Sequence, residues 1–285
     1  VLFTGATGGT GSVILEHLLR DGYTVNAILR SFAKSKDALS KQYASYISND
    51  KLRFTEIPDM AVPGVFDEPA KGASGIIHAA TPISDSDFEN TMIKGTVAIN
   101  ENVLKAAATS GSVKRVVITG SAVTVMKLPD QLMSGETFTE KDYNPVTHEE
   151  ALQNLPNAYQ YSKVHSEKKA WEWVESNKPP FELLFLLVPS ITGRTLQHGF
   201  KPNKAGLGGI SMMYREIFDR DTLGFIFPYY LDVDDVARVH IRSLSPQIPG
   251  NERYLFAAKD FMDTAAVANR IREVFPWLRD RVPVG

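Results

Sequence analysis

Two side chains suited to proton transfer, Tyr159 and Lys163, lie four positions apart at the start of a predicted helix. At that spacing both project from one helix face, so we expect the ammonium to lower the pKa of the phenol from about 10 toward working pH. Such a tyrosine can protonate a carbonyl oxygen while hydride reaches the carbon, or run the reverse reaction. The lysine can also hold the ribose of a nicotinamide cofactor. The alternative for this pair alone is a surface helix with one aromatic ring and one solvated charge.

A hydroxyl group beside this pair would complete a site for carbonyl chemistry. Ser121 follows the fifth predicted strand, at the strand end where ligands collect in open parallel sheets. Its hydroxyl can bond a substrate carbonyl and stabilise the developing oxyanion. Thr119 and Thr124 are alternatives, and a hydroxyl residue that simply ends a strand is an equally good interpretation of Ser121 taken singly.

The chain begins with an order of elements typical of nucleotide binding: an apolar run at residues 1–4, a glycine-rich turn and an amphipathic helix pattern. The turn has the spacing G-x-x-G-x-x-G. Gly5 would allow the tight turn, Gly8 would let the backbone approach phosphates, and Gly11 would let the helix lie close to the strand. The N–H groups of the first helical turn would then face a pyrophosphate.

The residues after the second predicted strand indicate which dinucleotide binds. An acidic residue there would bond the ribose 2′-hydroxyl, whereas a basic residue accommodates a 2′-phosphate. Arg30 ends the strand, Lys34 follows, and no carboxylate occurs before Asp37. Because a guanidinium can clamp a phosphate, we favour NADP(H), with a solvated basic loop as the alternative. Asp59 and Met60, after the third strand, are placed to contact the adenine.

Apolar strands and amphipathic helices alternate along most of the chain. Strands are predicted at residues 1–4, 24–29, 52–57, 75–79, 115–119, 181–187 and 253–256, and helices at 11–20, 34–47, 65–71, 88–109, 159–176, 210–219, 233–243 and 264–275. This alternation predicts an α/β fold: a Rossmann-type doubly wound parallel sheet with a smaller C-terminal substrate lobe. The NADP(H)-binding domain is predicted at 1–190, with 231–245 returning to it, and the substrate-binding lobe at 191–230 and 246–285.

Composition narrows the class of protein. The 285 residues are 43% hydrophobic and 22% charged, as in ordinary globular proteins. The net charge of −2 argues against nucleic acid as a partner, and no apolar stretch approaches membrane-spanning length. The chain has no cysteine and no HExxH-type ligand spacing, so no metal site is predicted. We expect a cytoplasmic monomer or homodimer that binds a small-molecule carbonyl substrate. Because the chain starts without Met inside a predicted strand, and stops at Val282-Pro-Val-Gly285 without a closing element, we also expect both ends to be trimmed.

In combination these motifs resemble the extended short-chain dehydrogenases/reductases, specifically the branch of dihydroflavonol reductases and fungal aldehyde and ketone reductases. The similarity covers nearly the whole chain. The motifs that carry it are Thr4-Gly-Ala-Thr-Gly-Gly-Thr-Gly11, His78-Ala-Ala-Thr-Pro82, Ile93-Lys-Gly-Thr96, Gly120-Ser-Ala122, Tyr159-Gln-Tyr-Ser-Lys163, Val188-Pro-Ser190 and Asp232-Val-Asp-Asp-Val-Ala-Arg-Val-His240.

By matching position, the resemblance implies that Ser121, Tyr159 and Lys163 form a catalytic triad, with Tyr159 and Lys163 also touching the cofactor. It implies further cofactor contacts from the pyrophosphate to the nicotinamide. These are Gly5, Thr7, Gly8 and Gly11 at the pyrophosphate, Arg30 and Lys34 at the 2′-phosphate, Asp59 and Met60 at the adenine, Ala79, Ala80 and Thr81 along the cleft, and Pro189, Ser190 and Thr192 at the nicotinamide.

Two positions depart from the family pattern. Gly120 stands where relatives usually carry serine, which Ser121 can compensate. Met126 stands where plant dihydroflavonol reductases carry an asparagine that grips the flavonoid hydroxyls. A thioether cannot make those hydrogen bonds, so we do not expect a dihydroflavonol as the substrate.

The sequence therefore predicts an NADPH-dependent reductase of an apolar or aromatic ketone or aldehyde. The candidate pocket walls are mostly apolar. They are Phe88, Val123, Met126, Tyr143, Leu207, Ile210, Tyr214 and Phe225. Two alternatives remain open: a nucleotide-sugar epimerase or dehydratase of the same fold, and a nonenzymatic NADP(H) sensor. The basic residue after the second strand disfavours the first, and the intact Ser/Tyr/Lys set disfavours the second.

Overall fold

The apolar runs between the helices pair as parallel strands. The computed structural model describes residues 1–132, 134–202, 204, 206 and 208–285. The strands are β1 (Leu2–Thr4), β2 (Val25–Leu29), β3 (Leu52–Glu56), β4 (Gly75–His78), β5 (Arg115–Thr119), β6 (Glu182–Leu187), β7 (Ser190–Thr192), β8 (Tyr230–Asp232) and β9 (Glu252–Leu255). Over the described residues, one sheet of seven parallel strands has the order β3-β2-β1-β4-β5-β6-β9, and β7 pairs with β8 in a second sheet. The predicted Rossmann-type α/β fold is confirmed.

Helices cover both faces of the large sheet. They are α1 (Gly9–Arg20), α2 (Phe32–Gln42), α3 (Ala44–Ser48), α4 (Asp67–Ala70), α5 (Gly95–Thr109), α6 (His148–Ala151), α7 (Leu155–Asn177), α8 (Gly209–Ile217), α9 (Val233–Arg242) and α10 (Thr264–Val274). A π-helical segment (Phe88–Lys94) leads into α5, and 3₁₀ turns occupy Ala122–Thr124 and Pro276–Leu278. In this described part of the chain, no helix is both long and apolar enough to cross a membrane.

One predicted helix, 34–47, is in fact two. Tyr43 takes a φ of −115° and ends α2, and α3 begins at the next residue. The Tyr43 ring packs into the core, 5% exposed, so the backbone bends at the point where this side chain turns inward. The two helices still cover the same side of the sheet between β2 and β3.

Alternate residues of the central strands enter two separate cores, one on each side of the sheet. Phe3 and Ile77 pack with residues of α1 and α9, whereas their neighbours Leu2 and Ile76 pack with residues of α5 and α7. All four side chains are fully buried, which stabilises the fold by about 1.5–3 kcal/mol per side chain. The sheet is therefore rigid, and it can fix the positions of the loops at its carboxyl edge.

The strand order reverses between β1 and β4, and this reversal opens a crevice at the carboxyl edge where dinucleotides bind in such sheets. One boundary of the predicted lobe needs correction. β9 pairs in parallel with β6, so residues 252–255 lie in the large sheet and not in the lobe predicted for 246–285. The strand is short and begins with Glu252 and Arg253, so its sequence has little of the apolar character of the other strands. The rest of the domain division stays a prediction.

Candidate active site

The turn between β1 and α1 brings the backbone too close to its neighbours for side chains at two positions. Gly5 has a φ of +89°, and a Cβ there would lie 2.9 Å from the carbonyl carbon of Ala79. A Cβ on Gly11 would lie 1.9 Å from the carbonyl oxygen of Gly5. At Gly8 the nearest neighbour of a Cβ would be that same oxygen, at 3.4 Å. A side chain at Gly5 or Gly11 would thus strain the fold, whereas the space at Gly8 is open on the side where a phosphate would approach.

The start of α1 is suited to an anion. Among the described residues, no side chain caps α1 at Gly8, so the first-turn N–H groups have no side-chain acceptor. Thr7 lies half-buried in the same turn. The fit of a pyrophosphate here rests on this uncapped helix start and on the glycine turn that a Cβ would block.

The carboxyl end of β4 forms the opposite side of the crevice. The Ala80 N–H donates to Thr4 Oγ1 at 3.3 Å, and Thr4 Oγ1 lies 2.7 Å from Nδ1 of His78. Burial lowers the pKa of His78 to about 3, so its ring is neutral at physiological pH. These bonds fix Ala79 and Ala80 beside the glycine turn, with Thr81 next to them and in contact with α7.

At the end of β2, Arg30 is exposed, and Lys34 is exposed in the first turn of α2. Sequence reasoning missed a third charged group there. Glu56, the last residue of β3, accepts a hydrogen bond from the N–H of Phe32 at 2.6 Å. A carboxylate therefore caps α2 beside the two cations predicted to bind a 2′-phosphate. The parallel pairing that sets Glu56 beside Leu29 is a long-range feature, invisible in local sequence.

The loop after β3, predicted to contact the adenine, is held by a hydrogen bond within it and by two from α5. Asp59 Oδ1 accepts from the N–H of Ala61 at 2.8 Å. Nδ2 of Asn102, on α5, donates to the carbonyl oxygens of Met60 and Val62, both at 3.0 Å. The loop is therefore ordered beside the crevice, and its contact with an adenine stays a prediction.

α7 carries Tyr159 and Lys163 in its first three turns. Asn154 caps the helix by accepting from the N–H of Asn157 at 2.9 Å, and Pro156 supports the first turn. Gln160, between the two candidate residues, is 3% exposed and its Oε1 accepts from the N–H of Leu128 at 2.7 Å. This anchor fixes the rotation of α7, so that Tyr159 and Lys163 face the crevice.

The structure brings Ser121, Tyr159 and Lys163 together. The Lys163 ammonium donates to Thr81 Oγ1 at 2.8 Å and to the carbonyl oxygen of Thr119 at 3.2 Å. Its Nζ lies 5.9 Å from the centroid of the Tyr159 ring. Ser121, buried two residues after the end of β5, lies close enough to Tyr159 for its hydroxyl to lower the pKa of the phenol. A hydroxyl, a phenol and an ammonium from two elements thus converge at the carboxyl edge of the sheet.

The predicted effect of Lys163 on Tyr159 is wrong for this arrangement. Burial raises the pKa of Tyr159 above its usual 10, and the Ser121 hydroxyl opposes the rise. Burial also lowers the pKa of Lys163 to about 8. The ammonium is directed at Thr81 and Thr119, so desolvation of the half-buried phenol outweighs its attraction. The four-residue spacing predicted that Tyr159 and Lys163 are close. It could not predict that Tyr159 is desolvated or that Lys163 has other hydrogen-bond partners.

The side of the crevice that is predicted to border a nicotinamide is formed where β6 ends. The N–H groups of Gly120 and Ala122 donate to the carbonyl oxygens of Leu186 and Val188, at 2.8 and 2.9 Å. A Cβ on Gly120 would lie 2.8 Å from the Leu187 side chain, which explains why glycine fits at this departure from the family pattern. Beyond these bonds, Pro189 is buried, and Ser190 and Thr192 lie half-buried in β7. The contact of these three residues with a nicotinamide stays a prediction.

The predicted pocket walls differ in how much of their surface is exposed. Met126 is 8% exposed and packs in the main core, so it presents little surface to a substrate. Tyr143 lies beneath the guanidinium of Arg253, whose carbon is 3.9 Å from the ring centroid. Phe225 is 63% exposed. The core covers most of Met126, and a cation covers one face of the Tyr143 ring; their place in the substrate pocket stays a prediction.

The other wall residues remain candidates. Phe88 begins the π-helical segment, and Val123 lies in the 3₁₀ turn after Ser121, both half-buried. Ile210 and Tyr214 lie on α8, where the Tyr214 ring packs 5.4 Å from the Phe218 ring. Leu207 lies outside the described residues.

The fold and this crevice are those of a dinucleotide-binding α/β protein. The sequence profile of the NAD dependent epimerase/dehydratase family matches residues 1–255, and the chain belongs to this family. The chain is 33% identical to ketoreductase CTB6 of Cercospora nicotianae over 301 residues, 97% of this chain and 80% of that protein. The predicted membership of the extended short-chain dehydrogenases/reductases, in the ketone- and aldehyde-reductase branch, is confirmed.

Solved structures agree with this placement. The fold is similar to that of yeast methylglyoxal/isovaleraldehyde reductase Gre2 complexed with NADPH, with a TM-score of 0.86 and 27% identity over 100% of this chain and 85% of that chain. It is also similar to vestitone reductase from alfalfa, with a TM-score of 0.76 and 26% identity over 98% of this chain and 82% of that chain.

Proposed function

We propose that this protein reduces apolar ketones or aldehydes, with NADPH as hydride donor and Tyr159 as proton donor. As a member of this family with reductases among its relatives, it is an NADP(H)-dependent oxidoreductase acting on carbonyl groups or the corresponding alcohols. The observation that supports the residue roles most directly is the convergence of Ser121, Tyr159 and Lys163 beside the glycine turn.

The residues present suit the cofactor along the length of the crevice. The open turn at Gly8 and the uncapped start of α1 would hold the pyrophosphate, and Arg30 and Lys34 the 2′-phosphate. Lys163, with its ammonium between Thr81 and Thr119, is placed to hold the ribose next to the nicotinamide. When bound, NADPH supplies the hydride.

The protein's own groups handle the oxygen of the substrate. The Ser121 hydroxyl orients the carbonyl oxygen and stabilises the negative charge that develops on it. Tyr159 then donates its phenolic proton to that oxygen. Because burial raises the pKa of Tyr159, the phenol carries its proton at neutral pH, as an acid in reduction must. The ammonium of Lys163 stabilises the phenolate that remains.

The substrate class follows from the candidate walls. Phe88, Val123 and Tyr214 offer mainly carbon surface, and such walls favour apolar or aromatic carbonyl compounds. We place the substrate between the nicotinamide side of the crevice and the lobe that contains α8, at residues 191–230. A panel of aldehydes, diketones and β-ketoesters, followed by NADPH absorbance, ranks the classes.

Replacing Tyr159 by Phe tests the proposal. The variant lacks the transferable proton, so we expect kcat to fall by at least a hundredfold, while NADPH binding, measured by fluorescence, is retained. The matched control is Tyr161→Phe, on the same helix, whose ring stacks on His165 at a centroid distance of 5.2 Å; it should keep its turnover. Full activity in Tyr159→Phe would show that the phenol is not the acid, as expected of a nonenzymatic sensor or of different chemistry.

A further inference from the structure

Arg253, on β9, is a buried arginine that joins three segments around the proposed active site. Its side chain is 9% exposed. Nε donates to the carboxylate of Glu167 on α7 at 2.6 Å, and Nη2 donates to Thr124 Oγ1 at 3.2 Å. Nη1 donates to the main-chain carbonyls of Glu140 and Asp142, at 2.5 and 2.8 Å. One side chain thus connects α7, the 3₁₀ turn after β5 and the 140–142 loop.

These contacts lie one step from the catalytic residues. Glu167 follows Lys163 by four positions on α7, so the two side chains are on the same side of the helix. Thr124 Oγ1 donates to the carbonyl oxygen of Ser121 at 2.8 Å, which links Arg253 to the serine through a single hydroxyl. A displacement of Arg253 would therefore affect both α7, which carries Lys163, and the turn that carries Ser121.

Glu167 is also a buried carboxylate near Lys163. Its side chain is 1% exposed, and both residues border one cavity of about 10 Å³, roughly the space of a single water molecule. Because both groups are buried, with little room for water, the negative charge acts on the ammonium with weak screening. Burial lowers the pKa of Lys163 to about 8, and the Glu167 carboxylate opposes this.

The other ionisable groups around Lys163 do not replace this charge. Tyr159 shares α7 and has its pKa raised by burial. His78 of β4 borders the same cavity, and His240 of α9 lies 2.8 Å from Thr119 Oγ1. Burial lowers the pKa of His78 to about 3 and that of His240 to about 4, so both rings are neutral at physiological pH.

We infer that Arg253 and Glu167 form a buried ion pair that positions the catalytic triad and supplies the negative charge facing Lys163. Both act through other residues, so they are positioning residues and not catalytic ones. The inference rests on the proposed function, because it requires Lys163 at the catalytic centre.

The variant Glu167→Gln separates charge from shape. The amide can still accept from Arg253, but the negative charge is lost, so the Lys163 ammonium releases its proton more easily. We expect the alkaline limb of kcat/KM for the carbonyl, measured at saturating NADPH, to move to lower pH by about one unit. An unmoved limb in a folded, NADPH-binding variant overturns the inference.

Two companions complete this test. Glu167→Asp keeps the charge, so its limb should stay near the wild-type position even where kcat falls; a limb displaced as far as in the Gln variant would show that charge is not the cause. Glu172→Gln removes a carboxylate that is 60% exposed and paired with Lys169 on the same helix. It should leave the pH profile unchanged.

Loss of one charge of a buried pair can unfold a protein, because the other charge is left without its partner. If Glu167→Gln does not fold, the double variant Glu167→Gln/Arg253→Gln removes both charges, and its limb should move in the same direction. An unmoved limb in the double variant also refutes the inference. Tyr159→Phe keeps this outcome separate from the proposed function: an inactive Tyr159→Phe with an unmoved limb in Glu167→Gln rejects the ion-pair role alone.

Discussion

Substitution by alanine should lower thermal stability at Gly11 but cofactor affinity at Gly8. A Cβ on Gly11 would lie 1.9 Å from the Gly5 carbonyl oxygen, against 3.4 Å or more for an ordinary contact, so α1 would have to move by roughly 1.5 Å. Such overpacking costs about 3 kcal/mol. In a protein of this size, each kcal/mol of lost stability lowers Tm by about 2–4 °C, so we expect Gly11→Ala to lower Tm by about 6–12 °C.

Gly8→Ala should fold normally, because its Cβ would meet the Gly5 oxygen at 3.4 Å. Its methyl group would instead occupy the face that a pyrophosphate approaches, so we expect NADPH affinity to fall at least tenfold, or about 1.4 kcal/mol. Gly9→Ala is the control in the same turn, since its Cβ would point at Thr195 Oγ1 at 3.7 Å. Thermal unfolding and NADPH titration of the three variants are the assays. Normal NADPH binding by Gly8→Ala would refute the placement of the pyrophosphate.

Further outcomes follow from single contacts. Arg30→Ala should weaken NADPH binding by tenfold or more without changing NADH binding, and Glu56→Gln should strengthen NADPH binding by removing a carboxylate beside the phosphate; equal effects on both cofactors would contradict this. Asn144→Ala should lower the free energy of unfolding by about 3 kcal/mol, measured in urea, because the buried amide holds backbone groups after Ser121. Burial lowers the pKa values of His78 and His240 to about 3 and 4 in the folded protein, whereas the ordinary value is 6.5. Below pH 6.5 the unfolded chain therefore binds protons at these histidines that the folded protein does not bind. Stability should then fall by about 1.4 kcal/mol per pH unit per histidine between pH 6 and 4.5, and the fall should be smaller in His240→Asn.

The sheet and the position of the crevice could be predicted because both depend on local patterns. Apolar runs and amphipathic helices alternate regularly, and a glycine turn after β1 requires contacts within a few residues. β9 was harder to place, because its membership of the sheet depends on pairing with β6 across more than sixty residues. The polar side chains of Glu252 and Arg253 hide that pairing in the sequence.

The same distinction explains what was missed in the site. Tyr159 and Lys163 are neighbours on one helix, so their meeting could be foreseen. Arg253 meets Glu167 across 86 positions, and Glu56 meets the start of α2 across 24. The pKa of Tyr159 depends on burial by the whole fold, and no local pattern contains that quantity.

The pKa of Tyr159 decides which direction of the reaction depends on pH. Reduction of a carbonyl consumes one proton, so the ratio of reduction to oxidation efficiencies must change about tenfold per pH unit. Burial keeps the phenol protonated, and Lys163, with a pKa of about 8, is still charged from about pH 6 to 7.5. We therefore expect kcat/KM for reduction to be flat there, and kcat/KM for alcohol oxidation by NADP⁺ to rise about tenfold per unit. Initial rates in both directions measure this. A flat oxidation with falling reduction would mean that the phenol ionises below pH 6, and that the ammonium outweighs burial once the cofactor is bound.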